Sequence, residues 1–370
     1  MTISKTAAAL FKPFEAGQLK LENRIVMAPM TRAFSPNGVP GPDVAGYYRR
    51  RAENAVGLII TEGTVINHPA AAADHGIPHF YGEEALEGWA RVVQEVHQAG
   101  GKIAPQIWHT GTARDRSKFP DSNVDPIGPS GLSLTGEKVS EPLTAEEISG
   151  LVQAYAQAAA DAKRIGFDAV EIHGAHGYLI DQFFWEVTNK RTDKYGGDLV
   201  GRTRFAVEVI EAVRAAVGPD FPIIFRFSQW KAVSYDAKLA ANPEELERFL
   251  APLSAAGVDI FHASTRRFWE PEFEGSDLNL AGWTRKLTGK PAITVGSVGL
   301  DSVFTSLFEE GKGGEAAGID NLIERLESGE FDLVAVGRAL LTDPAWAVKI
   351  RDDRTDELQP FTREALGTLS

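Results

Sequence analysis

The chain contains no cysteine among its 370 residues. Disulfides, iron–sulfur clusters, Cys-ligated zinc and cysteinyl-linked cofactors are thereby excluded, and so is a thiol nucleophile. Positive charge is also scarce: 38 Lys and Arg stand against 51 Asp and Glu, a formal net charge of −13. The basic footprint that grips nucleic acid or an anionic membrane is missing. Long apolar runs are lacking too. The stretch Ala7-Ala8-Ala9-Leu10-Phe11 is broken by Lys12 and Pro13. It is too short for a signal peptide or a membrane span, and a cytoplasmic protein is expected. No linker-like break or low-complexity tract divides the sequence. With 43% hydrophobic residues it can build one core, and a single domain over residues 1–370 is expected.

What the chain does have is alternation. Short, mostly apolar stretches at 23–30, 56–63, 102–109, 167–172, 222–228, 258–264, 291–298 and 331–338 read as eight strands. Pro105 sits uneasily in the third, because proline lacks the amide a central strand needs. Between the strands come helical patterns. Leu86, Trp89, Val92, Val93 and Val96 recur at three- and four-residue intervals up to Gly100-Gly101. Thr144-Ala145-Glu146-Glu147 forms a capping-box pattern that opens an Ala-rich helix ending at Gly166. Further helices are expected at 202–217, 243–256, 301–310 and 319–327. A long excursion at 110–143 follows the third strand, and an irregular aromatic insertion at 266–280 follows the sixth. Repeated βα units favour parallel pairing, and a closed (β/α)8 TIM barrel is the economical arrangement; an open doubly wound sheet is the alternative.

The chemistry gathers at the expected carboxyl ends of these strands, where barrels of this kind hold their sites. Those ends carry Thr31, Gly63, Gln106 with Trp108 and His109, then His173, His176 and Tyr178. Arg226, Ser264, Gly296-Ser297 and Gly337-Arg338 complete the series. Two imidazoles and a phenol just past the fourth strand can converge on one oxygen-bearing molecule. Their plain alternatives are core histidines, packing for Tyr178, or chelation by His-x-x-His. Gly296, Gly337 and Arg338 suit a phosphate, since barrels often bind one after strands seven and eight. Gln106 and Arg226 fall in opposed strands with no counter-ion in their local sequence. A flat ring with carbonyl and imide edges would satisfy both, and a flavin mononucleotide fits best. The glycine-rich Gly311-Lys312-Gly313-Gly314 follows a helix and not a strand, so it reads as a loop and not a dinucleotide fingerprint. His68, His75 and His79 read as surface-loop residues.

These motifs resemble the Old Yellow Enzyme family of FMN-dependent NAD(P)H oxidoreductases, the ene-reductases. The resemblance runs from Leu10 to about Trp346. Its markers include Asn23 to Thr31, Thr61-Glu62-Gly63, Gln106-Ile107-Trp108, Glu171 to Gln182, Asn189 to Gly197, Arg226, Gly296-Ser297 and Val336 to Leu340. It implies that Ala28, Pro29, Met30 and Thr31 lie along a non-covalent FMN, with Gly63 and Gln106 at the ring edge and Arg226 at the pyrimidine end. Gly296, Ser297, Gly337 and Arg338 would hold the phosphate. His173 and His176 would bind the substrate carbonyl beside Trp108, and Tyr178 would donate a proton. NADPH or NADH would be the reductant and small activated alkenes the substrates. His176 stands where many relatives carry Asn, and residues 266–273 and Phe361 fall in regions that vary among relatives. A monomer and a homodimer are both compatible with the sequence. The rival reading is a flavin-free barrel lyase or isomerase, which requires a second carboxylate or a Lys in the mouth. A flavin-binding protein without turnover ranks third.

Overall fold

The computed structural model describes residues 7–119, 123–303 and 313–370. Eight parallel strands close into a barrel: β1 (Ile25–Met27), β2 (Leu58–Val65), β3 (Lys102–Trp108), β4 (Val170–His176), β5 (Ile223–Lys231), β6 (Ile260–Ser264), β7 (Ala292–Val295) and β8 (Leu333–Val336). Each strand pairs with its sequence neighbour, and β8 closes on β1 through Val334 opposite Ile25. The two-residue side-chain period sorts the strands' apolar residues. Leu58 and Ile60 enter the lumen with Val26, Ala104, Ile224, Ile260 and Ile293, while Ile59 packs outward against the helices. The expected barrel is therefore the observed one.

Pro105 is accommodated by a local irregularity. The β2–β3 register shifts between Ile60 and Gly63, so two residues of β2, Thr61 and Glu62, stand opposite Pro105. A proline without an amide is tolerated at such a bulge. The capping box also forms: Glu147 N donates to Thr144 Oγ1 at 3.2 Å and Thr144 N to Glu147 Oε2 at 2.7 Å. The helix Ala145–Ile165 ends on Gly166 at φ 99°.

Several elements differ from the sequence reading. An antiparallel hairpin, Phe14–Ala16 with Leu19–Leu21, plugs the lower lumen with Phe14, Leu19 and Leu21. The three-residue strands are too short to show a period. Helix Pro42–Glu53 buries Tyr47, Tyr48 and Arg51 on one face, an aromatic and cationic stripe that apolar counting passes over. Helix Leu280–Thr288 follows the aromatic insertion directly, opened by Asn279, which accepts from Gly282 N at 2.9 Å. The expected helix at 301–310 and the Gly311 loop fall largely outside the described residues. Among the described residues, no helix is long and apolar enough to cross a membrane.

Candidate functional site

A cavity of about 380 Å³ opens at the carboxyl end of the barrel. Every strand-end residue expected from the sequence lines it except Gly63 and His109. That glycine lies behind Trp108: a Cβ at position 63 would stand 2.4 Å from the indole ring. The absent side chain at Gly63 thus leaves room for the indole that forms this part of the cavity wall.

The corner that holds His173, His176 and Tyr178 is built by an irregular strand end. His173 and His176 belong to β4 itself and do not follow it, because the strand continues through a register shift between Gly174 and His176. His176 then takes φ 64° and Gly177 φ 84°. This left-handed step turns the chain back, with Tyr178 N donating to Ala175 O at 3.2 Å. Tyr178 immediately precedes the short helix Leu179–Phe184. Beneath the turn, Asp181 Oδ2 accepts from Gly177 N at 2.7 Å, and Asp181 Oδ1 pairs with Lys231 Nζ at 2.8 Å. Both partners of that ion pair are fully buried. Burial draws Asp181 up and Lys231 down, and their mutual attraction opposes both shifts.

Trp108, His173 and Tyr178 form an aromatic triangle. Trp108 stacks near-parallel to His173 at 5.8 Å between centroids, and Tyr178 stands edge-on to each at 4.8 and 5.1 Å. His173 Nδ1 accepts from Ala175 N at 3.3 Å, so the neutral ring carries its proton on Nε2. Burial, then the nearby Arg226 charge, holds His173 and His176 well below the ordinary histidine range. Burial pushes the Tyr178 phenol above its usual value. At neutral pH the corner therefore offers two uncharged imidazoles and one intact phenol.

Below the triangle lies a polar layer that the sequence reading did not assemble. Glu171 Oε1 accepts from Gln106 Nε2 at 2.8 Å, and Glu171 Oε2 lies 2.7 Å from His262 Nδ1, all buried. Burial lowers the Arg226 pKa from the usual arginine range, and the nearby Glu171 opposes that shift. Gln106 and Arg226 thus share a carboxylate on β4, the strand between theirs, which corrects their placement on opposed strands. The signal was present: Glu171 and His173 are two residues apart and share a strand face. Arg226 Nε remains buried without a partner. The rival lyase reading gains no acid or amine here, because Glu171 and Lys231 are internally paired and neither lines the cavity.

The opposite end of the cavity is built for an anion. Gly296 and Ser297 adopt φ 138° and 50°, and an added Cβ at Gly296 would lie 2.8 Å from Thr265 O. Arg338 reaches Ser297 Oγ at 3.3 Å and Ser302 O, with its guanidinium 5.5 Å from the Phe361 ring. Burial lowers its pKa to about 10 against the attraction of Asp301, and no salt bridge within 4.0 Å joins it to a carboxylate among the described residues. A partly buried cation lacking such a partner attracts a phosphate. Thr31 is exposed at the cavity wall. Behind it Glu62 Oε2 accepts from Arg32 N at 2.8 Å and Ala33 N at 2.9 Å, and burial raises the carboxyl to about 7. The Arg32 guanidinium donates to Ala365 O at 3.0 Å and Leu366 O at 3.4 Å, bringing Leu366 into the cavity wall. Only long-range packing unites those residues, and no sequence spacing announces it.

The three loop histidines do not converge. His68 Nδ1 lies 3.1 Å from His109 Nε2, His75 bonds Lys118 O, and His79 stacks on Tyr81. Among the described residues, no group of three or more His, Cys, Asp or Glu side chains is placed to hold a metal ion.

The paired donor groups at one end, the orphaned Arg226 Nε in the middle and the Arg338 cradle at the other fit a phosphorylated flavin. Known proteins agree. Residues 9–357 match the model of the NADH:flavin oxidoreductase / NADH oxidase family. The chain is 34% identical to an NADH oxidase of Thermoanaerobacter brockii over 97% of its own length and 53% of that protein's. It is 44% identical to a putative 12-oxophytodienoate reductase 2 of Oryza sativa subsp. japonica over 58% of each chain. The chain thus spans a little over half the length of these two relatives. The structure of morphinone reductase in complex with tetrahydroNAD superposes with a TM-score of 0.80 at 30% identity, covering 96% of this chain and 93% of that one. Strand ends, cavity chemistry and relatives converge: this chain belongs to the NADH:flavin oxidoreductase / NADH oxidase family, FMN proteins that use a nicotinamide reductant.

Proposed function

We propose that the chain is an ene-reductase acting on activated alkenes, α,β-unsaturated carbonyl or nitro compounds. The observation that carries this reading is the corner where His173, His176 and Tyr178 meet in one cavity with Arg226 and Arg338. A bound FMN would supply hydride transfer, from a reduced nicotinamide to the β-carbon of the alkene. Arg338, Ser297 and the amides near Gly296 and Gly337 would hold its phosphate, with Gln106 and Arg226 at the ring and Ala28 to Thr31 along it.

The protein's own residues supply the rest. Charge builds on the substrate oxygen as the β-carbon is reduced, and two preorganised imidazole N–H groups stabilise it. One such donor is worth about 3–4 kcal/mol where removal has been measured in other enzymes. Tyr178, still protonated at neutral pH, gives its proton to the α-carbon. Trp108 and Trp230 wall the corner and exclude water. The likeness to proteins named as 12-oxophytodienoate and morphinone reductases supports a small organic substrate.

An anaerobic visible spectrum tests the reading. A yellow band that bleaches with NADH or NADPH and returns with 2-cyclohexenone is the expected result. A band that bleaches and stays bleached with enones and nitroalkenes alike would remove the alkene assignment. Arg338→Gln tests the phosphate end independently. Loss of a charge-assisted hydrogen bond, roughly 1.5–3 kcal/mol, should weaken FMN binding about 10- to 150-fold. Fluorescence titration of FMN into apoprotein reads it directly, and an unchanged Kd would move the phosphate elsewhere.

A further inference from the structure

Ser264 ends β6 and is buried at the cavity floor. Its Oγ lies 2.7 Å from His176 Nε2 and 3.3 Å from Arg226 Nη2. A guanidinium can only donate, so Ser264 accepts from Arg226. The hydroxyl then has one proton to place. Among the described residues, His176 Nε2 is the other group within its reach, and it can accept.

A neutral imidazole that accepts at Nε2 carries its proton at Nδ1. His176 is held neutral by burial and by the neighbouring charges of Arg226 and Lys231. Its plane is fixed as well. Trp230 stacks on the ring at 4.3 Å and 22°, and Trp230 Nε1 donates to Ser264 O at 3.1 Å. The His173 ring stands 5.3 Å away at 87°, with its own proton on Nε2 as argued above.

We propose that Ser264 is a positioning residue for the oxygen-binding pair. By donating to His176 Nε2 it fixes the Nδ1–H tautomer and aims that proton at the substrate oxygen, beside the Nε2–H of His173. The two histidines then act through opposite nitrogens. Arg226, Ser264 and His176 form a directed chain of donors, and each bond polarises the next. The Arg226 charge is thereby felt at the substrate oxygen without contact. This rests on the role given to His176 under the proposed function.

The test reads the proton itself. Flavin-loaded enzyme labelled with ¹⁵N-histidine is examined by two-bond ¹H–¹⁵N correlation, and His176 is assigned by its loss in His176→Asn. Wild type should show a protonated Nδ1 and a bare Nε2. Ser264→Ala should gain the Nε2–H form and bind p-cresol, an oxygen-bearing probe, about tenfold more weakly. Ser264→Thr, which keeps the hydroxyl, should restore both. An Nε2–H ring in wild type overturns the proposal, and so does an unchanged tautomer in Ser264→Ala. Should the alanine variant fail to fold, the wild-type and threonine spectra decide: Nδ1–H in both supports the proposal and Nε2–H in either refutes it. The tautomer is read without turnover. Failure here leaves the spectral test of alkene reduction standing, and failure there leaves this result standing.

Discussion

Tyr178→Phe should slow the reoxidation of reduced enzyme by an enone about 10²- to 10⁴-fold, the usual contribution of a positioned general acid. Reduction of the bound flavin by NADH or NADPH should be essentially unchanged. The asymmetry follows from geometry. The hydroxyl is the only atom removed, and the ring that packs against Trp108 and His173 is kept. Oxygen binding by the imidazoles also survives, so the loss should appear in the rate of the alkene step and not in substrate affinity. The pH profile adds a signature. Burial pushes the phenol above its usual value of about 10 and the two imidazoles well below 6.5. None of the three changes charge between pH 7 and 9, so the wild-type alkene step should be flat there. Stopped-flow measurement of the two half-reactions separates these outcomes. Equal loss in both would strip Tyr178 of the acid role.

Lys231→Met should be the most damaging single change to stability, at about 3–5 kcal/mol. It strands the Asp181 carboxylate, whose side chain is 0% exposed, with Gly177 N as its remaining donor. Removing one partner of a buried pair is far worse than removing both, because the survivor keeps the full cost of leaving water. Lys231→Met combined with Asp181→Asn should therefore recover most of the loss, since Asn still accepts from Gly177 N. Denaturation of the holoenzyme at fixed free FMN measures this, with the ligand held constant because it stabilises the native state by mass action. If the single variant costs under about 1 kcal/mol, water reaches the pair and its structural role is minor. Activity carries a second reading: the pair supports the turn that presents His176 and Tyr178, so the single variant should lose alkene turnover even where it remains folded.

The barrel and the contents of its mouth were legible because both rest on local pattern. Apolar strands spaced by helices prescribe the closed parallel sheet, and the residue ending each strand must face the mouth. Thr144 and Gly166 marked their helix to the residue because capping is a local hydrogen-bond problem. The network beneath was not legible. Glu171 reads as one more acidic residue until β3 and β5 place Gln106 and Arg226 beside it. Ser264 was visible as a strand end, yet its tie to His176 spans 88 positions. The room that Gly63 leaves for Trp108 was equally hidden, because only the pairing of β2 with β3 brings the two together.

His176 occupies φ 64°, a region that L-residues enter at a cost on the order of 1 kcal/mol. Glycine or asparagine would sit there more comfortably. A left-handed residue at the rim of a cavity fixes the direction in which its ring enters that cavity, so the backbone here constrains the side chain as much as its hydrogen bonds do. The buried Asp181–Lys231 pair ties down the next residue of that turn through Gly177 N.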